Sequence, residues 1–420
     1  MANYGESAYG FLEKINYVRV SGTDGERQAA EIIRNALSGM GLTPQTESFE
    51  IDSYEVETAT LTVTEPFTAS YTVTGYGFSG STPPEGIRAP FYYAEDANDI
   101  AASQSRGKIV LINGQPTGPQ YRAIVEGGAV GFIAISGAPI DERDKTDLET
   151  RALRQTRHLD NGKVAAIPGV SIRAIDALEM LKRKPREVVL TLVQEQCKTP
   201  SQNVIVEIEG TDKADEWITF GAHYDSVPFS RGMYDNGAGS AIILEACRYY
   251  ATNKPRRSLR FIWFGAEEKG LLGSLHHISA NPQEIERTKM MINVDLAGHV
   301  IGNHTMAMTT HADLGAALLF MAKEIGFSLT VRQDIFSSDS TAYADAGVPS
   351  MSFYRAGTGG HNRYDIIDLV SADSLNESVE FLIYFSRRIV DSEIFPVKPE
   401  IPEDLKEKLE VYFCRKPAAQ

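Results

Sequence analysis

The stretch GAHYDSVPFSRGMYDNGAG, residues 221–239, ends an apolar run with polar side chains and then turns through glycines. The residues just before it, EWITF at 216–220, have the length and composition of a buried strand. His223 and Asp225 stand where that strand should end, and Asp235 follows among glycines, which permit a sharp backbone turn. Buried polar groups need partners, so these side chains imply others from elsewhere in the chain.

Three further apolar runs end in the same way. SLRFIWF leads to Glu267 and Glu268, MMINV leads to Asp295, and VPSMSFYRAG is followed by His361. Helical segments, such as residues 239–252, alternate with these runs, which predicts an α/β fold with a mixed, largely parallel central sheet flanked by helices. Ligands bind outside the carboxyl ends of strands in such sheets, so we expect the polar side chains to converge at one edge.

The chemistry of this set indicates a metal site. Massed carboxylates repel one another, and neutral imidazoles cannot compensate them. A bound divalent cation can, and this ligand set suits Zn²⁺ and, less well, Co²⁺ or Mn²⁺. Each residue alone would more often be ordinary core or surface, but the ordered set favours a metal centre.

Composition limits the other possibilities. The 420 residues carry a formal charge of 41 − 56 = −15, which disfavours nucleic acid and anionic membrane surfaces. The sequence contains no run of 18 apolar residues, so it predicts no membrane span, and the cysteines form no CxxC pair. The start has no signal-peptide pattern, which predicts a cytoplasmic protein, although an exported protein without its leader would read the same. The oligomeric state stays open.

Texture divides the chain into domains. We predict a catalytic domain over 1–56 and 196–395, a β-rich insert over 57–195, and a C-terminal tail over 396–420 that holds a linker and a short helix. Within the insert we expect one helix, near residues 120–129, and an exposed charged loop over 141–163.

The ordered motifs resemble the M28 metallopeptidases, the co-catalytic dizinc aminopeptidase family. The resemblance rests on AHYDS, YDNGAGSA, WFGAEEKGLLGS, INVDLAG, SSDSTAYADAGVPSMSF and GHNRYDI, together with the N-terminal SGTDGERQAAEIIRNALSGMGL. The insert is similar, more loosely, to the protease-associated (PA) domain found in this family.

The resemblance implies a role for each matching residue. His223 and Asp295 match ligands of one zinc, Glu268 and His361 match ligands of the other, and Asp235 matches the carboxylate that bridges both. The implied cofactor is therefore a pair of Zn²⁺ ions, and the implied substrates are peptides.

Three more acids match supporting positions of the family. Glu267 matches the general base, which takes a proton from the zinc-activated water and delivers it to the leaving amine. Asp225 matches the acid that orients the imidazole of His223. Asp339 resembles a position that supports the site through hydrogen bonds.

The sequence also departs from the family pattern. Gly360 stands where some secreted relatives have a tyrosine, and Ser337 stands where some have a substrate-binding arginine. An oxyanion donor must then come from elsewhere, with three candidates that the sequence does not separate: Tyr354, Arg355 and Tyr364.

The main functional prediction is a metal-dependent aminopeptidase. The family also contains carboxypeptidases and glutaminyl cyclases; the former need an arginine cluster, here only scattered residues such as Arg355 and Arg363, and the latter use one zinc. A non-enzymatic receptor-like relative would have lost the ligand set, which this chain keeps.

Overall fold

The computed structural model describes residues 3–138, 148, 151–154 and 157–416. Residues 141–147, 149–150 and 155–156 of the predicted charged loop lie outside the described residues. The helices are α1 (Tyr4–Lys14), α2 (Asp24–Gly39), α3 (Asp99–Ser103), α4 (Gly118–Glu126), α5 (Ala174–Lys182), α6 (Ala238–Thr252), α7 (Leu272–Ala280), α8 (Pro282–Arg287), α9 (Ala312–Glu324), α10 (Asp339–Asp345), α11 (Ala372–Val390) and α12 (Glu403–Tyr412). The strands are β1 (Gln45–Glu65), β2 (Ala69–Tyr71), β3 (Val73–Gly75), β4 (Ile87–Tyr93), β5 (Ile109–Ile112), β6 (Gly131–Ser136), β7 (Gly169–Arg173), β8 (Glu187–Ile208), β9 (Lys213–His223), β10 (Arg257–Phe264), β11 (Thr288–Val294), β12 (Asn303–Met308), β13 (Thr330–Gln333) and β14 (Ser350–Ala356).

The chain divides into two compact units, one formed by Met1–Ile51 with Thr199–Gln420 and the other by Asp52–Lys198. The predicted insert, 57–195, falls within the second unit. Both boundaries lie inside long strands, β1 and β8, so no break in secondary structure marks them. Composition alone therefore locates such a boundary only to within a few residues.

The sheet of the first unit has the strand order β13-β12-β14-β11-β9-β10-β8. The pairs β10–β9, β9–β11, β11–β14 and β12–β13 are parallel, whereas β12–β14 and β10–β8 are antiparallel. The predicted mixed, largely parallel sheet is confirmed.

Both faces of this sheet are covered, because successive side chains of a strand point to opposite faces. Phe261 of β10 stacks on Phe220 at 4.7 Å and packs in the same core as Tyr250 of α6. Its neighbour Ile262 packs in a separate core with Tyr343 of α10. Strands buried on both faces have continuous apolar sequences, which is why these strands show no alternation of polar and apolar residues.

The second unit contains the parallel strands β4, β5, β6 and β7, with β3 antiparallel to β7. The expected helix is present as α4, which begins with a capping box between Thr117 and Gln120. The expectation of a single helix was wrong, since α3 and α5 are also present. Helix α5 is only nine residues long, so its buried apolar residues, such as Ala177 and Met180, are too few to show a helical period in the sequence.

The C-terminal segment contains the expected short helix, α12, and belongs to the first unit. Leu405 and Leu409 are buried with Ile401 against Ala344 of α10. Lys408 forms an ion pair with Asp334, which precedes α10, and Arg415 forms one with Asp345, the last residue of α10. The tail is therefore packed as part of the first unit. No helix within the described residues is long and apolar enough to span a bilayer.

Candidate metal centre

The site lies at the carboxyl edge of the sheet, where four neighbouring strands end. His223 is the last residue of β9, Asp295 directly follows β11, and Glu267 lies three residues beyond the end of β10. His361 lies on the segment that follows β14. These strands are parallel neighbours, so residues that are far apart in sequence meet at one edge.

A first group of potential ligands joins His223, Asp235 and Asp295. Nε2 of His223 lies 3.3 Å from Oδ1 of Asp235 and 3.4 Å from Oδ1 of Asp295. All three residues are buried, and one potential ligand atom from each lies within 4.8 Å of the other two.

A second group joins Asp235, Glu268 and His361. Nε2 of His361 lies 3.0 Å from Oδ2 of Asp235 and 3.2 Å from Oε2 of Glu268. The two groups share Asp235, which turns one carboxylate oxygen toward each histidine. The imidazole of His361 is half exposed, so this group opens to solvent.

The donor set fits a divalent cation. Oε1 of Glu268 and Oδ1 of Asp295 are buried and have no hydrogen-bond partner. Burial and the neighbouring Asp235 carboxylate raise the pKa of Glu268 to about 7. Hydrogen bonds with the Asp235 and Glu268 carboxylates raise the pKa of His361 to about 11. Crowded carboxylates whose buried oxygens lack a hydrogen-bond partner lower their free energy by sharing a cation.

Glu267 belongs to neither group of potential ligands. Its Oε2 lies 3.9 Å from Nε2 of His223, and only 9% of the residue is exposed. Burial raises the pKa of its carboxyl well above the usual range, and the nearby His223 imidazolium opposes that rise. The adjacent glutamates thus point to different places: Glu268 toward His361, and Glu267 toward the first group.

Asp225 is a fully buried hub beneath the site. Its Oδ1 lies 3.3 Å from Nδ1 of His223 and accepts the N–H of Glu267 at 3.2 Å. Its Oδ2 accepts the hydroxyl of Ser21 at 2.6 Å and the N–H of Glu268 at 3.3 Å. One carboxylate therefore holds the turn that carries the two glutamates by two hydrogen bonds and lies beside the imidazole of His223.

Asp339 lies at the first position of α10 and is fully buried, with neither carboxylate oxygen paired by a hydrogen bond of normal geometry. Burial raises its pKa to about 7, and the charge of the nearby His223 opposes that rise. The Asp339 carboxyl group therefore interacts electrostatically with His223 and Asp295 of the first group.

Two residues close to the potential ligands, and the potential ligand His361 itself, have a left-handed backbone. They are Ala266 (φ 54°), Leu296 (φ 55°) and His361 (φ 58°). Non-glycine residues rarely adopt this region, and such conformations persist only where the surrounding structure fixes them. Gly232 (φ 54°) makes the turn before Asp235, as the glycines in that stretch predict, since a side chain there would meet the carbonyl of Asp235.

Two supporting residues, Arg19 and Asp365, gave little sequence signal. Fully buried Arg19 donates to the carbonyls of Tyr224 and Gly232, on either side of the Asp225 segment. Asp365 accepts the backbone N–H groups of Tyr234 and Asp235. Arg19 in YVRV was unusual as a charge between apolar residues, and Asp365 belongs to the quoted GHNRYDI motif, but neither pattern shows what the side chain contacts.

The candidate oxyanion donors differ in their surroundings. Arg355 donates to Ser374 Oγ at 2.6 Å and to the Gly302 carbonyl at 3.3 Å, so it is tied to the scaffold. The ring of Tyr354 stacks on Phe336 at 4.5 Å. Tyr364 is 53% exposed on the segment that carries His361.

The two positions that depart from the family pattern also have defined surroundings. Ser337 pairs with the hydroxyl of Tyr412 from the C-terminal helix at 2.7 Å. A Cβ atom at Gly360 would lie 3.4 Å from Oδ2 of Asp235. The absent tyrosine side chain therefore leaves space beside that carboxylate.

Comparison with known proteins identifies the family. Residues 203–386 match the family described as Peptidase family M28. Aminopeptidase YwaD of Bacillus subtilis (strain 168) is 31% identical over 349 residues, which cover 80% of this chain and 71% of that protein. Human Carboxypeptidase Q is 25% identical over 89% of this chain and 83% of its own length. The solved structure of BSAP, a zinc aminopeptidase from Bacillus subtilis, matches with a TM-score of 0.78 and 26% identity over 96% of this chain and 98% of that one. This chain belongs to peptidase family M28.

Proposed function

We propose that this chain is an aminopeptidase that uses two zinc ions to hydrolyse N-terminal residues from peptides. The observation that carries the proposal is the pair of ligand groups that share the Asp235 carboxylate. The relatives named Aminopeptidase YwaD and zinc aminopeptidase BSAP support it. Co²⁺ or Mn²⁺ would substitute for zinc in the same ligand set.

In this proposal His223, Asp235 and Asp295 hold one ion, and Asp235, Glu268 and His361 hold the other. Zinc bound in this way supplies a Lewis acid that polarises the scissile carbonyl and acidifies water. The chain's own contribution is to present these ligands from strand ends fixed by the sheet, and to orient His223 through Asp225 at 3.3 Å.

Glu267 is proposed as the general base. It accepts a proton from the attacking water and then donates it to the nitrogen of the leaving amine, so its carboxylate is restored after each cycle. Its position beside the first group, without belonging to either, supports this role. A neighbouring divalent charge favours the ionised form of Glu267, which burial by itself disfavours.

Asp339 is proposed to support the first group electrostatically from the start of α10. We further propose that residues 57–195 form a PA-like insert, which is supported by their β-rich sequence and their place in a separate compact unit. Neither proposal affects the assignment of the metal ligands.

A carboxypeptidase is the second candidate, because relatives of this chain are named Carboxypeptidase Q. That activity needs a cation to recognise the substrate's carboxylate. Arg355, one of the two arginines considered for this, already donates to Ser374 and Gly302. This favours the aminopeptidase, and product analysis separates the two directly.

The first test incubates the zinc-loaded protein with pairs of peptides that differ only in N-terminal acetylation. Mass spectrometry then identifies the products. Loss of residues from the free N-terminus, with the acetylated partner intact, is the expected result. Loss from the C-terminus of both peptides would instead establish the carboxypeptidase.

The second test compares two adjacent substitutions, Glu267→Gln and Glu268→Gln. Glu267→Gln should lower kcat by about 10²–10⁴-fold, the usual contribution of a general base, with zinc content unchanged. Glu268→Gln should lose zinc as well as activity, because that carboxylate faces His361. Substantial turnover in Glu267→Gln, or loss of zinc from it, would remove Glu267 from the proposed role.

A further inference from the structure

Asp365 is a fully buried carboxylate that belongs to neither group of potential ligands. Its Oδ1 accepts the N–H of Tyr234 at 2.7 Å, and its Oδ2 accepts the N–H of Asp235 at 2.9 Å. Hydrogen bonds to an ionised acceptor are stronger than neutral ones, so this contact fixes the backbone of the shared ligand Asp235.

The same segment of chain carries His361, four residues before Asp365. Residues 357–365 form neither helix nor strand. Both ends of the segment are nevertheless tied to Tyr234 or Asp235: the N–H of Gly357 donates to the hydroxyl of Tyr234 at 2.9 Å, and Asp365 accepts the two N–H groups at the other end.

The two ligand groups therefore differ in how they are held. His223 and Asp295 of the first group lie at the ends of paired strands. In the second group His361 lies on the irregular segment, with its imidazole half exposed. Its imidazole contacts Asp235 and Glu268 directly, and the hydrogen bonds at the two ends of the segment hold the backbone that carries it.

We propose that Asp365 is a positioning residue for the metal centre. Its carboxylate fixes the distance between Asp235 and the His361 segment, so it controls affinity at the second metal position more than at the first. This inference rests on the proposed two-metal function. Residues that orient metal ligands typically contribute 10- to 100-fold to metal affinity, and we expect an effect of about that size.

The test uses Asp365→Asn, which keeps the shape of the side chain but replaces one acceptor oxygen with an amide donor that faces a backbone N–H. The matched control is Tyr234→Phe, which releases the other end of the segment through Gly357 and leaves both backbone N–H groups paired with Asp365. The metal-free full chain of each variant is titrated with Co²⁺, followed by calorimetry and by the visible absorption of the bound ion.

The wild-type chain should bind two Co²⁺ ions. Asp365→Asn should lose less affinity for the first ion than for the second, which it should bind about 10- to 100-fold more weakly than the wild-type chain does, with an altered spectrum for the second ion. Tyr234→Phe should change the second affinity by a much smaller factor. Wild-type binding of both ions by Asp365→Asn, an equal loss at both, or an equal loss in the two variants would each overturn the inference.

A further measurement needs no substitution and covers the case in which Asp365→Asn does not fold. Hydrogen exchange of the wild-type chain is followed by mass spectrometry at zero, one and two equivalents of Zn²⁺. Peptides that contain residues 357–365 should gain protection mainly with the second equivalent, and the peptide that contains residues 234–235 should gain further protection at the same step. Protection gained fully with the first equivalent would refute the inference. Binding of a single ion by the wild-type chain would instead refute the two-metal proposal itself.

Discussion

Asp225→Asn is the substitution that most directly tests the support beneath the site. The carboxylate of Asp225 faces four groups: Nδ1 of His223 at 3.3 Å and the N–H of Glu267 at 3.2 Å on Oδ1, and the hydroxyl of Ser21 at 2.6 Å and the N–H of Glu268 at 3.3 Å on Oδ2. Asparagine has the same shape but keeps acceptor capacity on only one side.

The structure determines which partner is lost. An amide oxygen in the place of Oδ1 keeps the contacts with His223 and Glu267. The amide nitrogen then faces Ser21, whose hydroxyl can rotate to accept, and the N–H of Glu268, which cannot. An unpaired buried donor costs about 1–3 kcal/mol. Weaker orientation of the ligands should lower zinc affinity by about 10- to 100-fold, which corresponds to about 1.4–2.7 kcal/mol.

Two measurements check this expectation. Urea unfolding of the metal-free protein should show a lower free energy of unfolding for Asp225→Asn, and competition with a chelator should show the lower zinc affinity. Ser21→Ala is the matched control, because it removes one donor to Asp225 and leaves the three other contacts. Wild-type stability together with wild-type zinc affinity in Asp225→Asn would show that the Asp225 carboxylate does not support the site.

Three more substitutions probe other parts of the molecule. His361→Ala should lower zinc content from two ions per chain to one, measured by elemental analysis, whereas retention of both ions would remove His361 from the ligand set. Burial lowers the pKa of His304 to about 4, so the native state takes up a proton less readily than the unfolded state does. The unfolding free energy of the wild-type chain should therefore fall as the pH drops from about 6.5 to about 4. His304→Phe should make the unfolding free energy depend less on pH over this range. Urea unfolding at several pH values checks this, and an unchanged pH dependence would contradict it. Leu405→Ala should cost about 2–5 kcal/mol of unfolding free energy, because Leu405 is fully buried beside α10; a near-zero cost would mean that α12 is not packed in solution.

The sequence was most informative about the site at positions where a polar residue ends an apolar run, because few structures explain such a residue. Asp295 after MMINV is an acid at the end of an apolar run, which is costly unless a partner or a cation is present. The same argument applied to His223. The alternation of apolar runs with helices predicted the sheet, and the resemblance of the ordered motifs to a known family implied the set of potential ligands. The predicted ligand residues do lie together in the structure, within 4.8 Å in two groups.

The inserted unit was less predictable because its elements are short. Helix α5 has nine residues, and its buried positions do not form a period long enough to separate it from the surrounding strands. The boundaries of the unit fall within β1 and β8, where the local pattern is simply that of a strand. Residue preferences for secondary structure do not reveal a domain boundary that falls inside a continuous strand.

The sequence by itself determined the strand ends, the residue types that gather there and the family, because each depends on local pattern and order along the chain. Only the tertiary structure decided how these residues are held. The contacts of Asp365 with Tyr234 and Asp235 span 131 and 130 residues, and that of Ser21 with Asp225 spans 204. Such hydrogen bonds join ordinary polar residues with no shared period, so their partners are specified only when packing of the sheet and its helices brings distant segments together.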